Sequence, residues 1–318
     1  MKAIISTIEQ LKQTVKINKS TPIDAVEPFL QEARDIYLLR YLGLEMVEVL
    51  EADNVPERAV KLLSLTQLAL GPLAMWLGIS ELSVRLGDAG FTVEKRDGAA
   101  NGSGFVPASD SKIAKLEESF ERRGFAYLDA VLEYLETNAD DFPEWKNSRF
   151  YSLRGGNYLQ SASQMQEVGA VNIEHSRLTF EHLRPTMTLI ETRFIADLLG
   201  ETLDTTLRGK LNGNQSTAEK QIIAAIRKFV ACKTAELHTS QAGKANREIQ
   251  KDREFKPLIR PIYSDPLNAG NFFAEQAAYY FNKVQQLLNT NAVELGYEPS
   301  EMALNWNVTD NKLFCDIG

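Results

Sequence analysis

Apolar residues recur at spacings of three and four along Thr21 to Leu50, TPIDAVEPFLQEARDIYLLRYLGLEMVEVL, where Ile23, Val26, Leu30, Ala33, Tyr37 and Tyr41 form one stripe. The stretch predicts a helix that Pro28 opens and Gly43 closes. A first helical turn tolerates a missing N–H, and glycine suits the left-handed turn after the last. The pattern returns at Leu178 to Leu207, LTFEHLRPTMTLIETRFIADLLGETLDTTL. A shift of 157 residues lays Pro28 on Pro185, Leu38 on Ile195, Leu42-Gly43 on Leu199-Gly200 and Leu50 on Leu207. Further on, Tyr127, Val131, Leu135 and Thr137-Asn138-Ala139 match Tyr280, Val284, Leu288 and Thr290-Asn291-Ala292 at a shift of 153. One short net deletion between two diverged copies produces such a change of shift. The chain reads as a tandem duplication.

Other signals fill in each copy. Ser6 is expected to cap a helix from Thr7 to about Lys16, with Glu9 completing a capping box. Pro56 opens a helix that is nearly apolar from Leu62 to Trp76 and suits the centre of a bundle, with a bend at Gly71-Pro72. Its charged start and length argue against a bilayer span. The glycine-rich run from Arg85 to Val106 predicts a hairpin-like excursion, Phe91–Val93 against Phe105–Val106 around a tip at Asp97 to Gly104. Ser109 or Asp110 begins a last long helix, to about Asn138. The second copy offers a helix from Thr217 to about Glu254, a proline-rich connection, and a closing helix capped by Asn271 and ending near Thr290. The expected fold is all-α: a tandem duplication of a helical-bundle domain, with a short β-hairpin-like loop and an extended C-terminal tail. The expected divisions are residues 1–144, a polar junction at 145–171, a second repeat at 172–300 and the tail at 301–318.

Composition narrows the function more than it identifies it. The 318 residues are 44% hydrophobic and 25% charged, enough apolar material for two cores. A net charge of −8, from 43 acidic and 35 basic side chains, argues against a surface built to grip a phosphate backbone. Cys232 and Cys315 have no companions at metal-ligand spacing, which suits a reducing compartment. The N-terminal run meets Glu9 before it can serve as a signal peptide, and no eighteen apolar residues follow one another.

Candidate chemistry is sparse. The sequence carries no phosphate-loop, HExxH, GxSxG or paired CxxC motif, so no catalytic residue, metal ligand or cofactor is expected. His175 and His182, each preceded by a glutamate, read better as polar residues at a helix start than as metal ligands. Asp140-Asp141 follows a helix end and reads as a turn, since nothing sets the two carboxylates at different protonation states. Five aromatics stand out as candidate partner contacts: Phe91 and Phe105 in the excursion, Tyr158 in the junction, Trp306 and Phe314 in the tail. They lie on segments that cannot build a core alone, so they either dock back on their own domain or anchor a neighbouring subunit.

Ile23-Asp24 to Ala33, followed by a loop and then Pro56-Glu57-Arg58-Ala59-Val60-Lys61-Leu62-Leu63, resembles the helical head–tail adaptor proteins of tailed bacteriophages, also called connector or head-completion proteins. The resemblance covers about Ile23 to Leu77 and, more faintly, Phe180 to Leu237. The whole chain, with Gly-Asp-Ala-Gly-Phe-Thr in the excursion and Leu-Glu-Thr-Asn at a helix end, also looks like an uncharacterised family from phages and prophages of Bacteroidetes. The first resemblance implies a non-enzymatic virion protein of the neck, assembled in the host cytoplasm. It would form a homo-oligomeric ring beside portal and tail proteins, without a membrane, and DNA would pass its channel without specific binding. Such adaptors are usually one short domain, and this chain has two. The alternative is a soluble cytosolic helical enzyme or ligand-binding protein with its site between the repeats.

Overall fold

A computed structural model describes residues 2–16, 22–82, 85–87, 90–92, 110–152, 156–245, 259–261 and 269–298. The chain is all-α and divides into two compact units, Met1–Leu153 and Arg154–Gly318. Strand pairing among the described residues is limited to two short antiparallel pairs.

In the first unit, α1 (Ile8–Thr14) starts at a capping box. Thr7, not Ser6, is the cap, and Gln10, not Glu9, completes the box, its amide oxygen doing what a carboxylate would. Next come α2 (Glu27–Ala33), a π-helical turn (Arg34–Leu38) and α3 (Leu39–Leu42), then α4 (Leu44–Leu50) beyond Gly43. The buried residues Phe29, Leu30, Ala33, Tyr37, Leu38, Tyr41 and Leu42 repeat close to every four residues. On a 3.6-residue helix that spacing drifts round the surface, and a turn closed by i→i+5 bonds takes up the excess residue.

The long α5 (Glu57–Leu82) packs against α2 and α6 (Asp110–Thr137), and runs unbroken through Pro72. By length and apolarity α5 could cross a membrane, contrary to the expectation from its ends, yet 61% of its most apolar window is buried in the unit. It is a core helix. Tyr37, Trp76 and Phe125 meet there, their ring centroids 5.5–6.5 Å apart. The excursion pairs differently from expectation: β1 (Arg85–Gly87) pairs with β2 (Gly90–Thr92), Leu86 opposite Phe91. Two nearby strands close a hairpin with less loop entropy than a distant partner would; Phe105 lies outside the described residues. Short helices α7 (Pro143–Lys146) and α8 (Arg149–Ser152) finish the unit, with Trp145 fully buried and its Nε1–H donating to the Tyr41 carbonyl at 3.2 Å.

The second unit repeats this order. Helix α9 (Ala162–Glu167) is followed by α10 (Arg177–Ile190), a π-helical turn (Glu191–Ala196), α11 (Asp197–Leu199) and, beyond Gly200, α12 (Glu201–Gly209). The long α13 (Thr217–Ala245) and α14 (Ala269–Thr290) pack together, and α15 (Ala292–Leu295) follows them. A strand β3 (Val171–Asn172) pairs with β4 (Arg260–Pro261). Pro185 sits inside α10, which Ser176 opens, so the proline does not start the helix as expected. Asn271 likewise lies within α14 and is not its cap.

The correspondence reaches details that no alignment of apolar residues shows. Both π turns sit at the same place in the repeat, and Gly43 (φ 82°, ψ 160°) and Gly200 (φ 74°, ψ 157°) adopt one backbone conformation. Asn138 and Asn291 both donate through Nδ2 to the carbonyl four residues back at 2.8 Å. At the other end, Gln10 accepts the Ser6 N–H and Gln164 the Gln160 N–H, each at 2.8 Å, with Leu11 and Met165 fully buried. The Gln67 side chain donates to the Ile4 carbonyl, and Arg227 to that of Tyr158. The expected junction is therefore divided: Trp145 to Ser152 closes the first copy, and Gly156 to Val171 opens the second with its counterpart of α1. Its polar, glycine-bearing composition concealed a capped helix.

Glycine is required at both kinks, because φ near +80° with ψ near 160° is strained for any side chain, by about 1–3 kcal/mol. A Cβ on Gly43 would also lie 2.7 Å from the Ser148 Cβ, whereas one on Gly200 meets nothing within 4 Å. Gly43→Ala should therefore lower stability more than Gly200→Ala, both measurably, in urea unfolding followed by circular dichroism.

Candidate functional site

Among the described residues, each unit has an ion pair with a buried glutamate where the π turn meets the helix after the kink. In the first unit, Arg34 at the start of the π turn holds Glu51, the C-cap of α4, with Nε–Oε1 at 2.5 Å and Nη2–Oε2 at 2.8 Å. Glu51 is buried, and Arg34 also contacts Asp35 at 2.7 Å. In the second unit, Glu191 starts the π turn and Arg208 lies near the end of α12, joined at 3.0 Å. The shift of 157 places Glu191 on Arg34 and Arg208 on Glu51. Both copies keep the ion pair, and its polarity is reversed.

The second pair is the centre of a larger network. Glu191 is 2% exposed and accepts the Tyr158 N–H at 2.9 Å. Arg208 also bonds Asp204 at 2.8 Å, donates to the Gly156 carbonyl, and stacks its guanidinium 4.6 Å from the Tyr158 ring centroid. The Tyr158 hydroxyl donates to Asp204 at 2.7 Å, and burial together with that carboxylate raises its pKa. Two carboxylates share one guanidinium. Burial pushes the deeper one, Glu191, up to about 7, which Arg208 only partly offsets. Each polar group here is occupied by a neighbour on the same unit, so the arrangement ties the chain entering the copy to the helix beyond the kink.

Tyr158 is thus a core residue of the second unit, fully buried, not a partner contact. It occupies the place of buried Ile4 in the first copy, and its hydroxyl reaches a carboxylate where Ile4 needs none. The backbone of Phe91 lies in β2; its side chain, Phe105, Trp306, Phe314 and the tail at 301–318 lie outside the described residues. Asp140 and Asp141 form a 3-10 turn, Asp140 facing Lys146 at 3.0 Å, while the Asp141 carbonyl accepts from Arg58. Arg58 also binds Glu144 at 2.6 Å and holds its carboxyl below the usual range, joining the start of α5 to α7.

His175 precedes α10 in a left-handed conformation (φ 55°), apart from His182, whose ring meets His238 at 6.4 Å. No three His, Cys, Asp or Glu side chains gather at metal-binding distance among the described residues. Burial raises the Cys232 thiol to about 12, which leaves it unreactive. Sequence reasoning passed over Arg34, Glu51, Glu191 and Arg208. The signal was present in the shift of 157, which aligns arginine with glutamate at two positions seventeen residues apart.

Residues 44–154 match a family described as of unknown function (DUF6712), a stretch from α4 through α8 that ends where the first unit ends. No curated protein and no solved structure matches the chain.

The copies also differ on their surfaces. Ile36 and Leu44, 43% and 57% exposed, stand where the second copy has Arg193 and Glu201. Along α5 and α13 the register that pairs Gln67 with Arg227 sets exposed Val60 against Lys220. Leu189, 54% exposed, stands where the first copy has Glu32. Each copy therefore presents its own apolar positions on a shared scaffold.

Two outcomes test the buried pairs. Breaking one pair strands a buried charge, so Arg34→Glu should cost about 3 kcal/mol or more. The triple change R34E/D35T/E51R, which installs the residues of the second copy, should recover most of that loss in urea unfolding read by Trp76 and Trp145 fluorescence. Glu191, raised from 4.5 to about 7 in the folded chain, binds its proton more tightly there than when unfolded. Its contribution to stability is thus fully present below about 4.5 and lost as pH rises to about 7. The stability of wild type minus that of E191Q, from urea midpoints across that range, should fall as pH rises.

Proposed function

We propose that this chain is a non-enzymatic structural protein of a tailed-phage neck, a head–tail connector component that assembles with copies of itself and with portal and tail proteins in the virion. The observation that carries the reading is the contrast between interior and surface. The two copies keep the same π turn, kink and buried pair, while exposed Ile36, Leu44, Val60 and Leu189 each stand where the other copy has a charged side chain. Scattered exposed apolar residues are ordinary, but their segregation by copy suits a scaffold that meets different neighbours with each half. The resemblance of Ile23 to Leu77 to phage adaptors supplies the setting, and the net charge of −8 suits a channel through which DNA slides without adhering.

Light scattering coupled to size exclusion tests this. The protein should form a discrete, concentration-dependent oligomer, seen as a ring by electron microscopy. A monomer at every concentration would remove the connector reading and favour a ligand-binding protein or enzyme. Deleting residues 302–318, with Trp306 and Phe314, should abolish the oligomer while leaving thermal unfolding of the chain nearly unchanged.

A further inference from the structure

The kink of the first unit is covered, and among the described residues that of the second is open. Trp145 donates its Nε1–H to the Tyr41 carbonyl at 3.2 Å, and Ser148, three residues on, lies against Gly43, where an added Cβ would come within 2.7 Å of the serine Cβ. Phe150 follows, its ring centroid 5.4 Å from that of Tyr41. Gly200 is exposed, and a Cβ on it would meet no described residue within 4 Å. In the first copy the covering residues come soon after the last long helix and Asn138. After the matching Asn291 the chain runs on to Gly318, and residues 299–318 lie outside the described ones. That tail holds the one tryptophan of the second copy, Trp306, with Thr309 three residues on: Trp-Asn-Val-Thr against Trp-Lys-Asn-Ser.

We propose that Trp306 to Thr309 of one copy covers the open kink on the second unit of another copy, as Trp145 to Ser148 covers the kink of its own unit. In that arrangement the Trp306 indole N–H donates to the carbonyl of Leu198, the counterpart of Tyr41, and Thr309 lies on Gly200. The repeat itself names the occupant. The tail has the same place in the chain order, the same indole and hydroxyl at the same spacing, and enough length beyond Glu298 to carry them. Several differences from the first copy send it to a neighbour. There, Pro143 starts α7 at once, and Arg58 ties the segment down through Glu144 and the Asp141 carbonyl. The register that pairs Gln67 with Arg227 puts Ala218 in the place of Arg58, so the second copy lacks this tie. Gly296, left-handed at φ 61°, ends α15 and turns the chain where Phe142 (φ −126°) leads straight into α7. Trp306 also stands fifteen residues after its asparagine, against seven for Trp145. Those additional residues, fully extended, lengthen the reach by up to roughly 27 Å. Each chain has one tail and one open kink, so the contact passes from copy to copy and closes where the geometry allows. This assignment rests on the assembly reading above and names the surface that receives the tail.

The experiment uses the full chain carrying C315S, which leaves buried Cys232 as the remaining native thiol. One form also carries E201C, beside the kink of the second unit, and a second, affinity-tagged form carries T309C. The two are mixed, treated with a short bis-maleimide, and separated on a denaturing gel. A product joining the two forms is expected, and adding W306A to the T309C form should lower its yield roughly tenfold or more. L44C, at the matching place on the covered kink of the first unit, should not link to T309C. A mixed product as abundant with L44C as with E201C, or none at all although wild type associates, overturns the docking and leaves the assembly reading untouched. If one chain carrying both E201C and T309C links only within itself, the tail closes its own unit and the proposal falls. If wild type does not associate at all, the assembly reading fails and the docking between copies with it.

Discussion

A buried ion pair between an arginine and a glutamate, seventeen residues apart, closes the kinked helix of each copy. The need for it is geometric. A helix whose buried residues recur every four positions needs a π turn to keep them facing the core, and a glycine at an extended, positive φ redirects the chain afterwards. Both devices weaken the regular hydrogen-bond ladder. A guanidinium held by a carboxylate from the far side of the kink fixes the angle that the ladder no longer specifies.

Reversal of the pair between copies shows what the fold requires of it. Two opposite charges must meet in a poorly solvated place, and which helix carries which sign is immaterial. The surroundings do depend on the sign. With arginine at the π turn, the neighbouring Asp35 shares it at the surface. With arginine beyond the kink, Asp204, the Tyr158 ring and the Gly156 carbonyl gather around it, and Glu191 is left with half a partner and a raised pKa. The second copy has thereby acquired a polar interior where the first has aliphatic side chains at Ile4 and Val47.

The helical frame has been kept, while polar positions inside it and apolar positions on its surface have both diverged. At the surface, Ile36, Leu44, Val60 and Leu189 are each apolar where the other copy carries a charge. Differences at such exposed positions leave the fold unchanged.

Apolar spacing, prolines and glycines were enough to establish the repeat, the all-helical class and the long core helices, because these signals act locally and survive divergence. The linear order of residues also held a clue that only paired positions reveal. Arginine aligns with glutamate at one end of the kinked helix and glutamate with arginine at the other, which apolar matching alone passes over. Other features depended on the folded chain. Tyr158 looked available because its neighbours are polar and glycine-bearing, but Glu191, Asp204 and Arg208, distant in the chain, enclose it. Phe91 found its strand partner in Leu86 because the shorter loop closes more readily. The second copy starts near Gly156 because a carbonyl at Tyr158 docks on Arg227 as Ile4 docks on Gln67. Burial and long-range hydrogen bonds depend on which segments meet in space, and a linear pattern of apolar residues does not specify that.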